Sequence, residues 1–158
     1  MEELLIKEKI NYYKILNSKK GKTYFEMIYR QIIAIFKLLI FSFKNKINLF
    51  IGSTPLVSHV GFLTRKPSFL LVEDDAEIVP LFAKITYPFA TYIVTPNVCS
   101  VGKWSHKKIG VDSYHELAYL HPNHFTPSKS IVEKYINTSN NFFILRFSKL
   151  GAYHDKKI

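Results

Sequence analysis

The chain has 158 residues, of which 47% are hydrophobic and 15% aromatic, so it can bury the core of one ordinary domain. This composition excludes an intrinsically disordered chain, and the single Cys99 excludes an internal disulfide. The net charge of +10 favours an acidic partner such as a phosphorylated sugar or an anionic lipid, while only three scattered arginines argue against specific nucleic-acid recognition.

The first nine residues, MEELLIKEK, are charged from position 2 onward. They lack the basic start, the apolar stretch and the small-residue cleavage site of a secretory signal peptide. The lack of a second cysteine also fits a reducing compartment. We therefore expect a cytoplasmic protein, and the basic charge leaves open a peripheral contact with the inner face of the cell membrane.

Short β-like runs alternate with longer helical runs along the chain. This order predicts an α/β fold, a Rossmann-like parallel sheet with helices on both faces. Strands are predicted at Tyr12–Leu16, Asn48–Ile51, Phe69–Val72, Tyr92–Val94 and Phe142–Phe147. Helices are predicted over Thr23–Lys44, Pro55–Thr64, Ala76–Ala83 and Ser128–Tyr135. Ser53 or Thr54 is expected to cap the second of these helices, and Thr126–Pro127 to start the last.

The segment Ile28–Phe43 has the composition of a membrane span, but two features argue against a span. Lys37 lies in its middle, and the apolar stretch is shorter than the ~20 residues that a bilayer requires. On a helical wheel the charged residues of this region share one narrow stripe, formed by Glu26, Arg30, Lys37 and Lys44. The pattern favours a core helix with one solvent-exposed stripe, and contact with a membrane surface is the alternative.

The sequence IGSTP marks a change from a strand to a helix, with Gly52 and Ser53 at the turn. At this place in a parallel α/β sheet, the helix N-terminus offers free N–H groups to a phosphate or a carboxylate. Glycine and serine also occur in such turns for purely structural reasons. Both interpretations stay open from the sequence.

An acidic cluster directly follows the predicted strand Phe69–Val72 and consists of Glu73, Asp74, Asp75 and Glu77. Four carboxylates in five positions repel one another unless cations, donors or solvent relieve them. One of them could act as a general base or bind sugar hydroxyls, with Glu73 or Asp74 preferred for the site and Glu77 for helix support. The alternative is a solvated acidic turn. No metal is required, although Mg²⁺ would suit such a cluster.

A histidine-rich segment, SYHELAYLHPNHFTP, places His115 next to Glu116 and ends with two further histidines, His121 and His124. Its spacing does not match the HExxH zinc motif, so a metal site is disfavoured. A histidine beside a carboxylate is instead suited to proton transfer. His121, which precedes a proline, is interpreted as a turn residue.

The last apolar run, ILRFSKLGAYHD, is predicted to be a strand that leads into a polar loop. Arg146 inside this strand calls for a carboxylate partner, and the acidic cluster is the natural source of one. His154 and Asp155 follow the strand, on the side of the sheet where ligands bind.

Five stretches of the chain together resemble one family: VEDDAE, TYPFA, TPNVC, SYHELAYLHPNHFTP and ILRFSKLGAYHD. It is an uncharacterised bacterial and archaeal family of GT-B-like proteins, related to glycosyltransferases and to UDP-N-acetylglucosamine 2-epimerases. The likeness covers nearly the whole chain, and ELAYLHP followed by FTP is its most specific part. Members of that family resemble two Rossmann-like domains that face each other across a cleft.

The resemblance implies a chain truncated at both ends. Residues 1–138 would form a partial N-terminal Rossmann-like domain, and residues 139–158 the first strand and loop of a truncated C-terminal domain. The implied function is that of a GT-B-like glycosyltransferase or related sugar-nucleotide enzyme in surface-polysaccharide synthesis. The alternatives are an enzyme like the UDP-N-acetylglucosamine 2-epimerases and a non-catalytic fragment or binding module. The chain alone is expected to be inactive.

The resemblance also implies roles for single residues of this sequence. The implied catalytic residues are Asp74, Asp75, Glu116 and His154. The implied substrate-binding residues are Gly52, Ser53, Glu77, His115, Arg146 and Asp155. Neither a cofactor nor a metal is implied. A UDP-sugar is the expected substrate of the parent enzyme and a lipid-linked acceptor its expected second substrate, with helix N-termini stabilising the departing diphosphate.

Overall fold

The computed structural model describes residues 2–16, 23–136, 143 and 145. Four strands, β1 (Phe50–Gly52), β2 (Ser68–Leu71), β3 (Tyr92–Pro96) and β4 (Lys108–Val111), form a parallel sheet in that order. The helices are α1 (Glu2–Lys7), α2 (Tyr24–Lys44), α3 (Pro55–Thr64), α4 (Pro80–Thr86), α5 (Leu117–Leu120) and α6 (Lys129–Val132). A 3₁₀ helix over Gly102–Lys107 leads into β4. This parallel sheet flanked by helices confirms the predicted α/β, Rossmann-like fold class.

The two faces of the sheet are buried to different extents. Leu70 of β2 and Ile93 of β3 are paired in register and fully buried. Because side chains alternate along a strand, Tyr92 and Ile51 lie on the opposite face, where they are 42% and 59% exposed. Phe69 lies between these two in register, and its ring centroid is 5.1 Å from that of Tyr92. The densest packing is therefore on the Leu70 face.

The buried core joins the Leu70 face to α4 and the loops beside it. Its members are Leu70, Val72, Ala76, Ala83, Tyr87, Ala90, Ile93 and Val101. Tyr87 is the largest of its fully buried side chains. Its ring meets those of Phe82 and Trp104 edge to face, with centroid distances of 6.1 and 5.4 Å. These edge-to-face contacts join the end of α4 to the 3₁₀ helix over Gly102–Lys107.

Helix α3 matches its prediction residue for residue and packs closely against the start of β2. Pro55 occupies its first turn, as expected, and Thr54 holds the N-cap position, although no side chain makes a capping hydrogen bond there. A Cβ atom on Gly61 would lie 2.7 Å from the Cβ of Ser68. Glycine at this position therefore allows the close contact between helix and strand.

Helix α2 confirms the predicted helix Thr23–Lys44, but the predicted burial as a core helix is wrong, because only Ala34 and Ser42 are buried among its residues of described burial. The Thr23 hydroxyl accepts a hydrogen bond of 3.2 Å from the backbone N–H of Glu26, which caps the start of the helix. At the other end, the side-chain amide Nδ2 of Asn45 donates to the carbonyl of Phe41 at 2.8 Å. In the part of the chain that the structure describes, no helix is long and apolar enough to cross a membrane.

The predicted strand Tyr12–Leu16 is wrong, because this segment has no regular secondary structure. Local side-chain contacts hold it instead. The Tyr12 hydroxyl and the Lys14 amino group donate to the Glu2 carboxylate at 3.0 and 2.7 Å. The Tyr13 ring stacks on Phe41 of α2, with centroids 4.4 Å apart. These contacts tie the segment to two helices rather than to the sheet.

The remaining predicted strands and helices differ from the observed ones mainly in where they begin and end. The predicted strands Asn48–Ile51, Phe69–Val72 and Tyr92–Val94 agree with β1, β2 and β3 to within two residues. The helix predicted at Ala76–Ala83 begins four residues later, because its first turn contains Pro80. The last helix is shorter than predicted and has Ser128 rather than Thr126 at its N-cap. Strand β4 was not predicted. The predicted strand Phe142–Phe147, apart from positions 143 and 145, and the 138/139 boundary lie outside the described residues.

Candidate functional site

A pocket of about 510 Å³ lies at the carboxyl edge of the sheet, where β1 and β2 end. In parallel α/β sheets this edge is where ligands bind. Six lining residues are apolar and come from the end of β2, the residue after it, α4 and the residue just before α4: Leu71, Val72, Val79, Leu81, Phe82 and Ile85. Four are polar: Ser53, Glu73, Asp74 and His115. The pocket thus combines an apolar wall with a small set of groups that can bind hydroxyls or move protons.

Glu73 and His115, which both line the pocket, contact each other through two pairs of atoms. The backbone N–H of His115 donates to Oε1 of Glu73 at 2.6 Å, and the ring Nδ1 lies 3.3 Å from Oε2. A carboxylate at this distance favours the tautomer with hydrogen on Nδ1, which leaves Nε2 as the basic nitrogen. This arrangement orients the imidazole for proton transfer.

Ser53 and Asp74 extend the polar side of the pocket. Ser53 follows β1 and precedes α3, and Asp74 comes two residues after Val72, at the end of the neighbouring strand. Parallel strands end at the same edge, which is why these two residues share one pocket. The hydroxyl and the carboxylate are suited to hydrogen bonds with a polyol.

The charge of Asp74 also acts on the core beneath it. Burial is the main cause that raises the pKa of Tyr87 to about 12, and the negative charge of Asp74 is the next. The Tyr87 hydroxyl is buried and has no hydrogen-bond partner among the described residues. The acidic cluster and the core are therefore electrostatically coupled.

Asp75 and Glu77 are engaged with a neighbouring loop and do not line the pocket. The backbone N–H of Ser100 donates to Oδ1 of Asp75 at 2.7 Å, and the Ser100 hydroxyl donates to Oε1 of Glu77 at 3.2 Å. The backbone N–H of Ala76 completes the contact by donating to the Ser100 carbonyl at 2.9 Å. In this structure the two carboxylates hold the loop after β3, and their predicted roles in substrate binding and catalysis stay predictions.

The structure places Gly52 and Glu116 near the pocket without adding them to its lining. A Cβ on Gly52 would lie 2.9 Å from Cγ2 of Val57, so its smallness serves the β1–α3 turn. Glu116 is exposed and precedes α5. The remaining predicted residues, Arg146, His154 and Asp155, lie outside the described residues.

Two parts of the site were not predicted from the sequence. The first is the apolar wall on α4, whose signal was the i, i+4 spacing of Leu81 and Ile85 after Pro80. The second is a lysine that holds the loop next to the site: the Lys108 amino group donates to the carbonyls of Asn97 and Cys99 at 2.9 and 2.6 Å. No local signal pointed to this contact, because it depends on the pairing of β3 with β4.

The described acidic and histidine side chains do not form a metal site. No group of three or more histidine, cysteine, aspartate or glutamate residues within residues 2–16 and 23–136 is arranged to hold a metal ion. The carboxylates of the acidic cluster diverge, since Glu73 binds His115 while Asp75 and Glu77 bind Ser100.

Comparisons of this chain with protein-family models, with curated proteins and with solved structures find no match.

Proposed function

We propose that the pocket binds the hydroxyl-bearing acceptor of a GT-B-like glycosyltransferase or related sugar-nucleotide enzyme, with His115 as general base. The observation that carries the proposal is the Glu73–His115 pair in a pocket at the carboxyl edge of a parallel sheet. The resemblance to GT-B-like proteins supplies the reaction class. Its stretches VEDDAE and SYHELAYLHPNHFTP contain Glu73 and His115, respectively.

In this proposal the Nε2 atom of His115 takes the proton of an acceptor hydroxyl. Glu73 keeps the ring in place through Nδ1 and stabilises the imidazolium that forms. The acceptor oxygen bonds to the anomeric carbon of the nucleotide sugar as the bond from that carbon to the diphosphate oxygen breaks. The nucleoside diphosphate leaves with the electron pair of that bond. Ser53 and Asp74 hold other hydroxyls of the acceptor.

The apolar wall supports an acceptor with an apolar part. Leu81, Phe82 and Ile85 of α4 face the same pocket as the polar groups. Such a wall suits the apolar face of a sugar ring or the first carbons of a lipid carrier. A lipid-linked acceptor is the kind of substrate used in surface-polysaccharide synthesis, and it has both parts.

A ligand titration tests the proposal. We would follow backbone amide shifts by NMR while adding hexyl glucoside, a sugar with a short apolar tail, to the 158-residue chain. We expect shifts at Ser53, Asp74 and His115, and at least tenfold weaker binding for His115→Ala. His106→Ala, in the exposed part of the 3₁₀ helix, is the matched control and should bind normally. Shifts confined to other regions, or normal binding by His115→Ala, would reject the pocket as the acceptor site.

A turnover assay separates the alternatives that share this pocket. The chain would be mixed with UDP-N-acetylglucosamine and hexyl glucoside. Formation of a glycosylated product and UDP supports transfer, whereas release of free N-acetylmannosamine supports an epimerase that uses the same histidine for proton transfer at carbon. Binding of hexyl glucoside without turnover is expected both of a non-catalytic binding module and of an enzyme truncated before its second domain, so turnover is the outcome that rejects the binding module.

A further inference from the structure

We propose that α2 lies on the surface of a membrane that contains anionic phospholipids. The observation is a row of large apolar side chains on the solvent side of this helix, which we call the apolar stripe. Its members are Phe25, Tyr29, Ile32, Phe36, Ile40 and Phe43. Each is between 47% and 87% exposed. With 100° per residue they fall within about 80° of one another, so they form one continuous strip along the whole helix.

The stripe is not the side by which α2 joins the rest of the protein. Ala34 and Ser42 are buried. On the helical wheel they lie about 180° and 100° from the direction of Phe25. Phe41 stacks on Tyr13 on another side of the helix. The helix therefore already has a packed face, and the apolar stripe is an additional one. Exposed apolar surface of this length marks an interaction site.

Positive charge runs along one edge of the apolar stripe. Lys37 and Lys44 are exposed and lie within about 60° of the stripe's edge on the helical wheel. Lys46, two residues after the end of the helix, is exposed as well. Lysines beside an apolar strip can reach lipid phosphates while the apolar side chains enter the boundary between headgroups and acyl chains. The net charge of +10 adds a general attraction to an anionic surface.

The composition of the stripe favours a lipid surface over a protein partner. Four of its six members are aromatic: Phe25, Tyr29, Phe36 and Phe43. Phenylalanine is common on the buried face of helices that lie on a lipid surface, and tyrosine, with an apolar ring and a polar hydroxyl, is enriched at the interface between water and lipid. A helix in a protein interface would more often carry regular leucine or isoleucine contacts, with charges of both signs beside them. Here the exposed flank is mostly basic, with Lys37 and Lys44 against the single acidic Glu26.

Vesicle binding tests the proposal, and its outcome does not depend on the pocket. We would measure co-sedimentation of the chain with vesicles of phosphatidylcholine alone and of phosphatidylcholine with phosphatidylglycerol at a ratio of about 3:1. We expect binding to the anionic vesicles, weakening as salt is added. The double substitution Phe36→Ser with Ile40→Ser should weaken this binding at least tenfold.

Matched controls separate the stripe from apolar surface in general. Val98→Ser with Tyr135→Ser removes side chains that are 77% and 83% exposed elsewhere, and this variant should bind vesicles normally. Circular dichroism would check that both double variants stay folded. Equal vesicle binding by both variants would overturn the proposal. The proposal would also be overturned if the chain did not bind vesicles but formed dimers, and if Phe36→Ser with Ile40→Ser abolished these dimers. The apolar stripe would then join two copies of the chain.

Charge substitutions provide a second, milder test that leaves the apolar surface in place. Lys37→Gln with Lys44→Gln should weaken binding to the anionic vesicles about tenfold and reduce its salt dependence. Lys66→Gln with Lys134→Gln changes two exposed lysines outside α2 and serves as the control for net charge. If both pairs weaken binding equally, the attraction is non-specific and the proposed orientation of α2 is wrong.

Discussion

Glu73 holds His115 at two points, through a backbone N–H bond of 2.6 Å to Oε1 and a ring Nδ1 distance of 3.3 Å to Oε2. The two residues are 42 positions apart and meet only because the chain after β4 returns to the end of β2. One carboxylate thus fixes both the backbone and the ring of the same histidine. This relationship fixes the position of the His115 ring, as the proposed general base requires.

Replacing the Glu73 carboxylate by an amide of nearly the same shape should release the His115 ring. In Glu73→Gln we expect the His115 imidazole to change from one preferred tautomer, with hydrogen on Nδ1, to a mixture of both. Nitrogen chemical shifts of the ring report this directly. Binding of hexyl glucoside should weaken severalfold because the base is no longer oriented. Glu77→Gln, which alters a contact with Ser100 instead, should leave the tautomer unchanged.

Tyr87 should make the protein sensitive to alkaline unfolding. Burial raises its pKa to about 12, so the folded state keeps the phenol proton that the unfolded chain loses near pH 10. The resulting stabilisation is complete below pH 10 and is lost as pH rises through 12. By pH 11 the loss is about 1 kcal/mol. Denaturant unfolding of Tyr87→Phe should lack this loss. At pH 7 the variant should be at least as stable as the native chain, because it removes a buried hydroxyl that has no hydrogen-bond partner among the described residues.

Tyr135→Phe is the control for this alkaline experiment, because Tyr135 is 83% exposed. Its alkaline unfolding should follow that of the native chain. Lys107 acts in the opposite direction, since burial lowers its pKa and its contribution to stability rises with pH below 10.5. Both the native chain and Tyr87→Phe contain Lys107, so its effect cancels when their free energies of unfolding are subtracted. If the two free energies fall in parallel between pH 10 and pH 12, the prediction is wrong.

The contact of α3 with β2 should not tolerate a methyl group at Gly61. The Cβ of Gly61→Ala would lie 2.7 Å from Cβ of Ser68 and 3.1 Å from the carbonyl of Lys66. We expect a loss of about 1–3 kcal/mol in the free energy of unfolding, measured in urea. The second substitution Ser68→Gly removes the clash between the two Cβ atoms. The loss in free energy of unfolding that Ser68→Gly causes should therefore be smaller in the Gly61→Ala variant than in the native chain. Simple additivity of the two substitutions would show that the helix shifts freely.

Lys107 should stabilise the turn that follows α4. Its amino group donates to the carbonyls of Tyr87, Pro88 and Ala90 at 3.1, 2.7 and 2.8 Å. Lys107→Met keeps most of the side-chain volume but removes these bonds, and we expect a loss of about 1–3 kcal/mol in thermal or urea unfolding. Lys103→Met is the control, because Lys103 is exposed and its amino group lies 4.9 Å from the Trp104 ring centroid. Equal effects of the two substitutions would argue against a special role for Lys107.

Much of the fold could be predicted because its elements have strong local signals. The apolar runs that became β2 and β3 are short and continuous, and α3 has a proline in its first turn. Strand β4 lacks such a signal, since Lys108 and Gly110 interrupt its apolar residues. It becomes a strand because β3 offers it backbone partners. The segment Tyr12–Leu16 has a β-like sequence, but Glu2 and Phe41 hold it outside the sheet.

The sequence by itself determined that a cluster of carboxylates follows a buried strand, because a continuous apolar run and the charges after it are local properties of the chain. Only the tertiary structure decided what each carboxylate does. Glu73 meets His115, 42 residues away, and Asp75 meets Ser100, 25 residues away. Neighbouring carboxylates of one turn point in different directions, so their partners depend on which distant loops the parallel sheet brings to its carboxyl edge.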